Sequence, residues 1–210
     1  GSFFALAANH VVHGRVVFPG AGYLEMARAA SASAALSGVY FLQPLVIELL
    51  DLTVECAVFS GRFEVHSAVD SSLESKSLHC SGATADDELH QRIDHASLRM
   101  PSYAAHTGSL YDGFDAVGLQ YGPGYRTLMY AWASQLGALA LLRPRMACGG
   151  TSVHPADLDD TLCLGALTST HSDGQTYLPF AMDDAHLQRA HRRLCAVTQR
   201  AASQSISVRL

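Results

Sequence analysis

Residues 10–27 read His10-Val-Val-His-Gly-Arg-Val-Val-Phe-Pro19-Gly-Ala-Gly-Tyr-Leu-Glu-Met-Ala27, and this stretch decides the fold. Two short runs of β-prone residues, Val11–Val12 and Val16–Phe18, lie on either side of Gly14 and predict short strands. Pro19 stands where a helix tolerates proline, just before a small-residue segment, 21–35, with few charges. A helix that is small and apolar on nearly every side is usually buried. The stretch therefore predicts short strands that lead into a buried helix.

Strand patterns follow this helix in the first half of the chain. Residues 52–59 alternate partly, and residues 62–66 alternate fully, between apolar and polar side chains, as half-buried strands do. Ser60-Gly61 between them predicts a hairpin turn, and residues 78–82 predict a further strand. Residues 84–100 begin with a polar, acidic stretch and are typical of a connector.

The second half repeats this order of strands and helix. Strands are predicted at 125–132 and 138–142, a helix with small residues at 155–167, and two more strands at 194–198 and 206–210. A helix wrapped by its own antiparallel sheet leaves one flank poorly covered, so two such units are expected to pack side by side and join their sheets. The predicted fold class is therefore α+β, with two central helices each wrapped by an antiparallel β-sheet.

Composition and charge limit the class of protein. The chain has 210 residues and a formal net charge of -5, so neither a nucleic-acid partner nor an anionic membrane surface is indicated. No apolar run approaches the ~20 residues of a membrane-spanning helix. The cysteines are odd in number and lack zinc-ligand spacing, which favours a reducing, cytoplasmic setting. They are Cys56, Cys80, Cys148, Cys163 and Cys195.

Candidate chemistry begins at His10. An imidazole has an unperturbed pKa close to neutrality and can act as a general base, although a lone histidine can also be structural at a strand end. His13 completes a His-x-x-His pair of the kind that binds metal, but no third ligand lies nearby in sequence. No metal is therefore predicted, and His13 is expected to pack or to face solvent. Gly14 has no side chain, so its backbone can approach a ligand, or it can simply serve a turn.

Four ordered sequence blocks carry a resemblance to a known family. His10–Pro19 fits the pattern HxxxGxxxxP. Residues 119–125 (LQYGPGY), 153–159 (VHPADLD) and 177–183 (YLPFAMD) resemble, in turn, an LxYGPxF, an HPxLLD and an LPF block. Residues 79–82 (HCSG) weakly resemble the HxxG that closes the family's first half. Over nearly the whole chain, the sequence resembles the dehydratase domain of modular polyketide synthases, which is related to the dehydratases of fatty acid synthases.

The resemblance implies a double hotdog fold. Residues 1–100 would form an N-terminal half with the catalytic His10, and residues 101–210 a C-terminal half with the catalytic Asp159, together one structural domain. The implied activity is that of a hydro-lyase: His10 as base and Asp159 as acid remove water from a 3-hydroxyacyl chain and leave a 2,3-unsaturated thioester. No metal or cofactor is implied, because the substrate is carried on the phosphopantetheine arm of an acyl carrier protein. That carrier and neighbouring synthase domains are the implied partners, and the family also suggests a homodimer.

Further roles follow from the same resemblance. The N–H of Gly14 is implied to meet the thioester carbonyl, aided by the positive end of the helix that follows. Pro19 is implied to form part of the pocket wall. Tyr121 is implied to shape the substrate tunnel, while Gly122 and Pro123 set a turn.

The acid has two rivals in sequence and one atypical neighbour. Asp157 and Asp160 flank Asp159, but the family register selects Asp159, and helical periodicity points the rivals elsewhere. Cys163 stands where the family usually has a Gln or His that hydrogen-bonds the acid, and a thiol is only a weak donor. Cys163 as a nucleophile is disfavoured, because a nearby carboxylate opposes a thiolate. A double-bond isomerase or cyclase with the same fold, and a catalytically impaired scaffold domain of a synthase, stay open as alternatives.

Overall fold

A computed structural model describes residues 2–48, 52–69, 76–85, 103–134, 137–145, 150–168, 178, 180–187, 194–202 and 205–209. The helices are α1 (Ser2–Ala7), α2 (Gly20–Ser31), α3 (Thr107–Ala116) and α4 (Pro155–Cys163), with 3-10 turns at Pro123–Tyr125 and Leu164–Thr168. The strands are β1 (His10–Val12), β2 (Arg15–Val16), β3 (Ala35–Phe41), β4 (Leu52–Phe59), β5 (Arg62–Val69), β6 (Ser77–Thr84), β7 (Tyr103–Ala105), β8 (Leu119–Tyr121), β9 (Leu128–Ala133), β10 (Gly137–Leu142), β11 (Ala181–His186), β12 (Cys195–Ala202) and β13 (Ser205–Arg209).

Three antiparallel sheets surround two central helices. The first sheet has the strand order β11-β3-β6-β5-β4 and packs against α2. The second has the order β13-β12-β10-β9-β7, and α4 packs against its strands β12 and β13. In the third, β1 lies between β2 and β8. Because α2 and α4 also contact each other, the predicted α+β arrangement of two helices, each with its own antiparallel sheet, is confirmed.

Two strand pairings cross between the halves of the chain. β11 pairs with β3 in the first sheet, with Met182 opposite Val39. β1 pairs with β8, which places His10 directly opposite Tyr121. The division at residue 100 stays a prediction, but these pairings join residues from both sides of it into one hydrogen-bonded unit.

Both central helices are shorter than the sequence predicts. α2 ends at Ser31, because Ala32 takes a left-handed backbone conformation with φ 55°, and the Ala-rich segment continues as strand β3. Pairing of β3 with β6 and β11 outweighs the local preference of this segment for helix. The second predicted helix ends at Cys163 and continues as a 3-10 turn. The strand predicted from residue 125 begins at Leu128, since a 3-10 turn occupies 123–125.

The hairpin between β4 and β5 is confirmed. Ser60 and Gly61 both have positive φ, 49° and 74°, as a tight two-residue turn between twisted strands requires. The elements α1, α3, β3, β7, β8 and β11 have no counterpart in the sequence prediction. Most of the predicted connector at 84–100 lies outside the described residues, as do residues 177 and 179 of the fourth block. None of the described helices is long and apolar enough to span a bilayer.

Two clusters of buried apolar side chains form the core. The cluster under the first sheet includes Phe18, Leu24, Leu36, Phe63 and Val65. The cluster under the second sheet includes Tyr121, Tyr125, Leu142, Ala156 and Leu164. The second cluster also contains Val12 and Val17 from the first part of the chain, so β1 and its neighbours lie where the two halves meet.

Candidate active site

His10 is buried in β1, and its ring is held from two sides. Nδ1 donates a hydrogen bond of 2.8 Å to the carbonyl oxygen of Val17. Because a carbonyl oxygen only accepts, Nδ1 carries the proton, and the neutral ring keeps its lone pair on Nε2. The rings of Tyr121 and Tyr125 pack against the imidazole with centroids 5.6 Å and 5.4 Å away. These contacts fix the tautomer and the direction in which Nε2 points.

Asp159 on α4 faces that nitrogen. Its Oδ2 lies 3.8 Å from His10 Nε2, which is too long for a direct hydrogen bond. His10 is 5% exposed and Asp159 is 8% exposed. The two residues that the sequence singles out as base and acid are therefore brought together in one buried space, from opposite halves of the chain.

The surroundings of Asp159 favour its protonated form. Burial raises the pKa of the carboxyl above its ordinary value, although His10 and the Tyr121 hydroxyl act in the opposite direction. Oδ2 has no hydrogen-bond partner in the part of the chain that the structure describes. A carboxyl group with a raised pKa keeps its proton at a higher pH than usual, which is what a general acid requires.

The two rival carboxylates are engaged elsewhere. Asp157 forms an ion pair with Arg145, with Oδ1 2.7 Å from Nε. Asp160 accepts hydrogen bonds at Oδ2 from the Tyr111 hydroxyl and from both the N–H and the hydroxyl of Thr127. Both carboxylates thus anchor α4 to its neighbours, and Asp159 alone of the three is paired with His10.

Tyr121 and Cys163 complete the wall beside the acid. The Tyr121 hydroxyl lies 3.2 Å from Cys163 Sγ, and Cys163 follows Asp159 by one helical turn. Burial raises the pKa of the Cys163 thiol well above its ordinary value, and the nearby Asp159 adds to this. A thiol held in its protonated form is a poor nucleophile, in line with the role that the sequence disfavours for it.

Gly14 and Pro19 lie on the path from His10 into α2. Gly14 occupies the exposed turn between β1 and β2 with φ 76°, a conformation that glycine adopts without strain. Its N–H donates a 2.8 Å hydrogen bond to Gln120 Oε1, so this donor already has a partner. Pro19 is buried and stands immediately before the first turn of α2.

Gly122 and Pro123 form the turn that their motif predicts. The N–H of Gly122 donates to the carbonyl oxygen of Asn9, at 2.8 Å, and any side chain at Gly122 would collide with the Asn9 side chain. Pro123 begins the 3-10 turn, and Arg143 donates to its carbonyl oxygen. This turn holds Tyr121 and Tyr125 against His10. The four residues at the centre are therefore His10, Asp159, Tyr121 and Cys163, whereas Gly14, Gly122 and Pro123 shape the backbone around them.

Sequence reasoning missed two residues that hold this site. Val17 was expected only as a strand residue, but its carbonyl oxygen sets the tautomer of His10. Glu25 is buried on α2 and accepts a hydrogen bond from the backbone of the second half. The available signal was a carboxylate in the middle of a small, apolar helix. His79, in the weakest motif block, bonds to Ser67 and to the Gln43 carbonyl within the first half.

No group of three His, Cys, Asp or Glu side chains within the described ranges is arranged to hold a metal ion. His13 therefore belongs to no such group. Its backbone N–H donates a hydrogen bond to the carbonyl oxygen of Gly118 at the turn beside β1.

Comparison with known proteins assigns a family to both parts of the chain. A family model described as "polyketide synthase dehydratase domain" matches residues 3–68. A second, described as "polyketide synthase dehydratase N-terminal domain", matches residues 88–209. The chain is 26% identical over 200 residues to the polyketide synthase PksN of Bacillus subtilis and 33% identical over 168 residues to the polyketide synthase ThaG of Burkholderia thailandensis. These alignments cover 84% and 71% of this chain, but only 4% and 3% of the two synthases.

Solved structures agree in fold. Dehydratase domains from the CurF and CurK modules of curacin polyketide synthase superpose with TM-scores of 0.81 and 0.80. Each superposition covers 97% of this chain and 82% or 80% of the other, at 20% and 22% sequence identity. At this identity the likeness concerns the fold alone, and the predicted double hotdog is confirmed.

Proposed function

Since the chain belongs to the polyketide synthase dehydratase family, we propose that it removes water from a 3-hydroxyacyl chain carried on an acyl carrier protein. The product would be a 2,3-unsaturated thioester. The observation that carries the proposal is the buried pair of His10 Nε2 and Asp159 Oδ2, 3.8 Å apart and not hydrogen-bonded to each other. A base and an acid this close can act on neighbouring carbon atoms of one substrate, and from the same face.

The elimination needs both groups in their uncharged forms. Nε2 of neutral His10 takes the proton from C2, and the electron pair of that C–H bond moves towards the thioester carbonyl oxygen as an enolate before it forms the C2–C3 double bond. The bond from C3 to the hydroxyl oxygen breaks as protonated Asp159 gives its proton to that oxygen, and water leaves. Each positioned group contributes roughly 10²–10⁴ in rate. The raised pKa of Asp159 supports the acid role, because burial favours the protonated carboxyl group that this role needs.

The same separation allows the site to reset. After elimination His10 is an imidazolium and Asp159 a carboxylate. Transfer of one proton from Nε2 to Oδ2 through the departing water restores both starting forms. The net reaction is substrate to product plus water, with no oxidation, no metal and no cofactor required.

The developing enolate needs a hydrogen-bond donor. The N–H of Gly14, the donor that the sequence predicts, is engaged by Gln120 and can serve only if that amide moves away. The first N–H groups of α2, at Gly20 and Ala21, have no partner within the helix and lie at its positive end. α2 begins three residues after Val17, whose carbonyl oxygen holds His10. We therefore assign the binding of the enolate oxygen to the first N–H groups of α2. Gly14 is assigned the role of forming the turn between β1 and β2.

Cys163 bears on how well the acid is held. The thiol contacts the Tyr121 hydroxyl, while Asp159 Oδ2 has no partner in the described part of the chain. The acid is therefore oriented by packing and burial and by its position on α4, with less hydrogen bonding than a side-chain amide at 163 would supply. This arrangement is compatible with dehydration.

The proposal implies partners outside this chain. The chain spans a few per cent of the length of large curated synthases, so adjoining synthase domains and an acyl carrier protein are proposed to deliver the substrate. The phosphopantetheine arm would enter as part of that substrate. Pairing of two copies into a homodimer is proposed on the family resemblance alone.

The test is dehydration of a 3-hydroxyacyl N-acetylcysteamine thioester. Mass spectrometry detects the loss of water from this substrate. His10→Ala and Asp159→Asn are each expected to lower kcat at least about 10²-fold. Matched controls are His66→Ala and Asp112→Asn, which change a histidine and an aspartate outside the site. A His10→Ala variant that dehydrates at the wild-type rate would contradict the proposal. A wild-type chain that leaves the hydroxyacyl thioester intact but moves the double bond of an enoyl thioester would instead favour the isomerase.

A further inference from the structure

Glu25 is a buried carboxylate that the proposed reaction does not use. It lies on α2 and is 5% exposed. Oε1 accepts a 2.6 Å hydrogen bond from the backbone N–H of Ser152. Arg28, one turn later on the same helix, donates to both carboxylate oxygens, at 2.8 Å and 3.0 Å. The carboxylate is thus neutralised within the first half and bonded to the backbone of the second half.

The bond from Glu25 to Ser152 lies between the two reactive groups along the chain. On one side, α2 begins directly after the segment whose Val17 carbonyl holds His10. On the other side, Ser152 is followed by His154, whose ring caps α4 by accepting a hydrogen bond from the N–H of Ala156. That helix carries Asp159, so the bond joins the supports of the base and of the acid.

The segment before α4 rests on the first half. The side chain of Val153 is buried in the apolar cluster under the first sheet, next to the residue that Glu25 holds. Apolar packing of this kind joins surfaces but does not select one register along the helix. A buried ion pair is also a costly way to add stability, because desolvation offsets much of the attraction. A short hydrogen bond to a backbone N–H is directional, and it fixes the position of α4 along α2.

We propose that Glu25 is a positioning residue, which sets the separation of His10 and Asp159 by holding the backbone before α4 against α2. The inference rests on the proposed function, because a fixed separation of His10 and Asp159 matters when the two side chains act together in catalysis. The geometric part can be measured without turnover.

The first test measures how strongly His10 and Asp159 feel each other. His10 lowers the pKa of Asp159, so His10→Ala is expected to raise it, and ¹³C NMR titration of the Asp159 carboxyl carbon reports the change. When the same substitution is made in a Glu25→Ala background, the change is expected to shrink by half or more, because the two groups are no longer held together. A change of unaltered size would overturn the inference, whether or not the chain dehydrates.

The second test uses turnover. Glu25→Ala is expected to lower kcat about 10-fold to 10²-fold with little effect on KM, since a displacement of about 1 Å in a catalytic pair costs this much. Glu25→Gln keeps an acceptor for the Ser152 N–H but places a donor where Oε2 accepts from Arg28, so it is expected to lower kcat less than Glu25→Ala does. In an Asp159→Asn background, Glu25→Ala is expected to lower kcat by less than about threefold, because no acid remains to be positioned. The full loss in that background would overturn the inference.

A control variant separates positioning from loss of stability. Ser67→Ala removes a buried 2.7 Å hydrogen bond to His79 inside the first half. It is expected to lower the melting temperature without changing kcat. If Ser67→Ala and Glu25→Ala lower kcat in proportion to the stability that each loses, Glu25 has only a structural role and the inference fails. A wild-type chain without dehydratase activity would refute the proposed function, while the NMR experiment would still decide the role of Glu25.

Discussion

Replacing Asp160 with Asn is expected to remove a pH dependence of the free energy of unfolding. The Asp160 side chain is fully buried in α4. Oδ2 accepts hydrogen bonds from Tyr111 and Thr127, whereas Oδ1 has no partner among the described residues. Burial outweighs these bonds, and the nearby Asp159 adds to it, so that the pKa of Asp160 rises from an ordinary 3.8 to about 7. Folding therefore favours the protonated carboxyl group.

The sign follows from the two pKa values. Between pH 3.8 and about pH 7 the folded chain binds this proton more tightly than the unfolded chain does. The contribution of Asp160 to stability is therefore fully present below pH 3.8 and is lost as the pH rises through the folded pKa. Each pH unit in this window is worth about 1.4 kcal/mol. From pH 5 to pH 8 about two such units are crossed, so the loss expected from this one group is about 2–3 kcal/mol.

Urea unfolding of the wild type and of Asp160→Asn, at pH 5 and at pH 8, measures this loss. Asn does not titrate, so the difference between the two chains reports Asp160 together with its coupling to Asp159. The free energy of unfolding of Asp160→Asn, relative to that of the wild type, is expected to rise by about 2–3 kcal/mol between pH 5 and pH 8. Asp112→Asn, at an exposed position on α3, is the matched control and is expected to show no such change. Equal differences at the two pH values, within about 0.5 kcal/mol, would refute the reasoning.

Further predictions concern the neighbours of the catalytic pair. Cys163→Gln places an amide donor one turn after Asp159, which lowers the pKa of that acid, so the alkaline limb of kcat/KM against pH is expected to move to lower pH. Tyr121→Phe removes a hydroxyl that opposes the effect of burial on the pKa of Asp159, so the same limb is expected to move to higher pH. Movement in the opposite direction in either variant would contradict the assignment of Asp159 as the general acid. At near-neutral pH the Cys163 thiol is expected to react with iodoacetamide at less than about a tenth of its rate in the unfolded chain, as followed by mass spectrometry. Gln120→Ala releases the N–H of Gly14 and is expected to change kcat/KM by less than about twofold, whereas a tenfold change would assign the enolate to Gly14.

The local sequence pattern was enough to predict the elements with strong periodicity. The alternation at 52–59 and 62–66 predicts β4 and β5, and Ser60-Gly61 predicts the turn between them, because period and turn chemistry depend only on neighbours in sequence. The strand β3 was missed for the opposite reason. It follows an Ala-rich segment that resembles helix, and it becomes a strand through pairing with β6 and β11, which are distant in sequence.

The residues of the candidate site could be named from the motif blocks, but their chemistry could not. The sequence selects Asp159 over Asp157 and Asp160 by the family register and by helical periodicity. The structure adds the reason: Arg145 engages Asp157, Tyr111 and Thr127 engage Asp160, and these partners come from other elements. Whether a carboxyl group is a useful acid depends on its burial and on the charges around it, and neither quantity is a property of the local sequence.

The chain by itself determined that two small-residue helices lie at the centre, that a histidine precedes the first and that an aspartate lies in the second. Only the tertiary structure decided that these side chains meet at 3.8 Å, that the Gly14 donor is engaged by Gln120, and that the carboxylate of Glu25 reaches the backbone of Ser152. Helical and strand periods are set by contacts within a few residues along the chain. Contacts between residues more than a hundred positions apart arise only when the sheets close around both helices and exclude water.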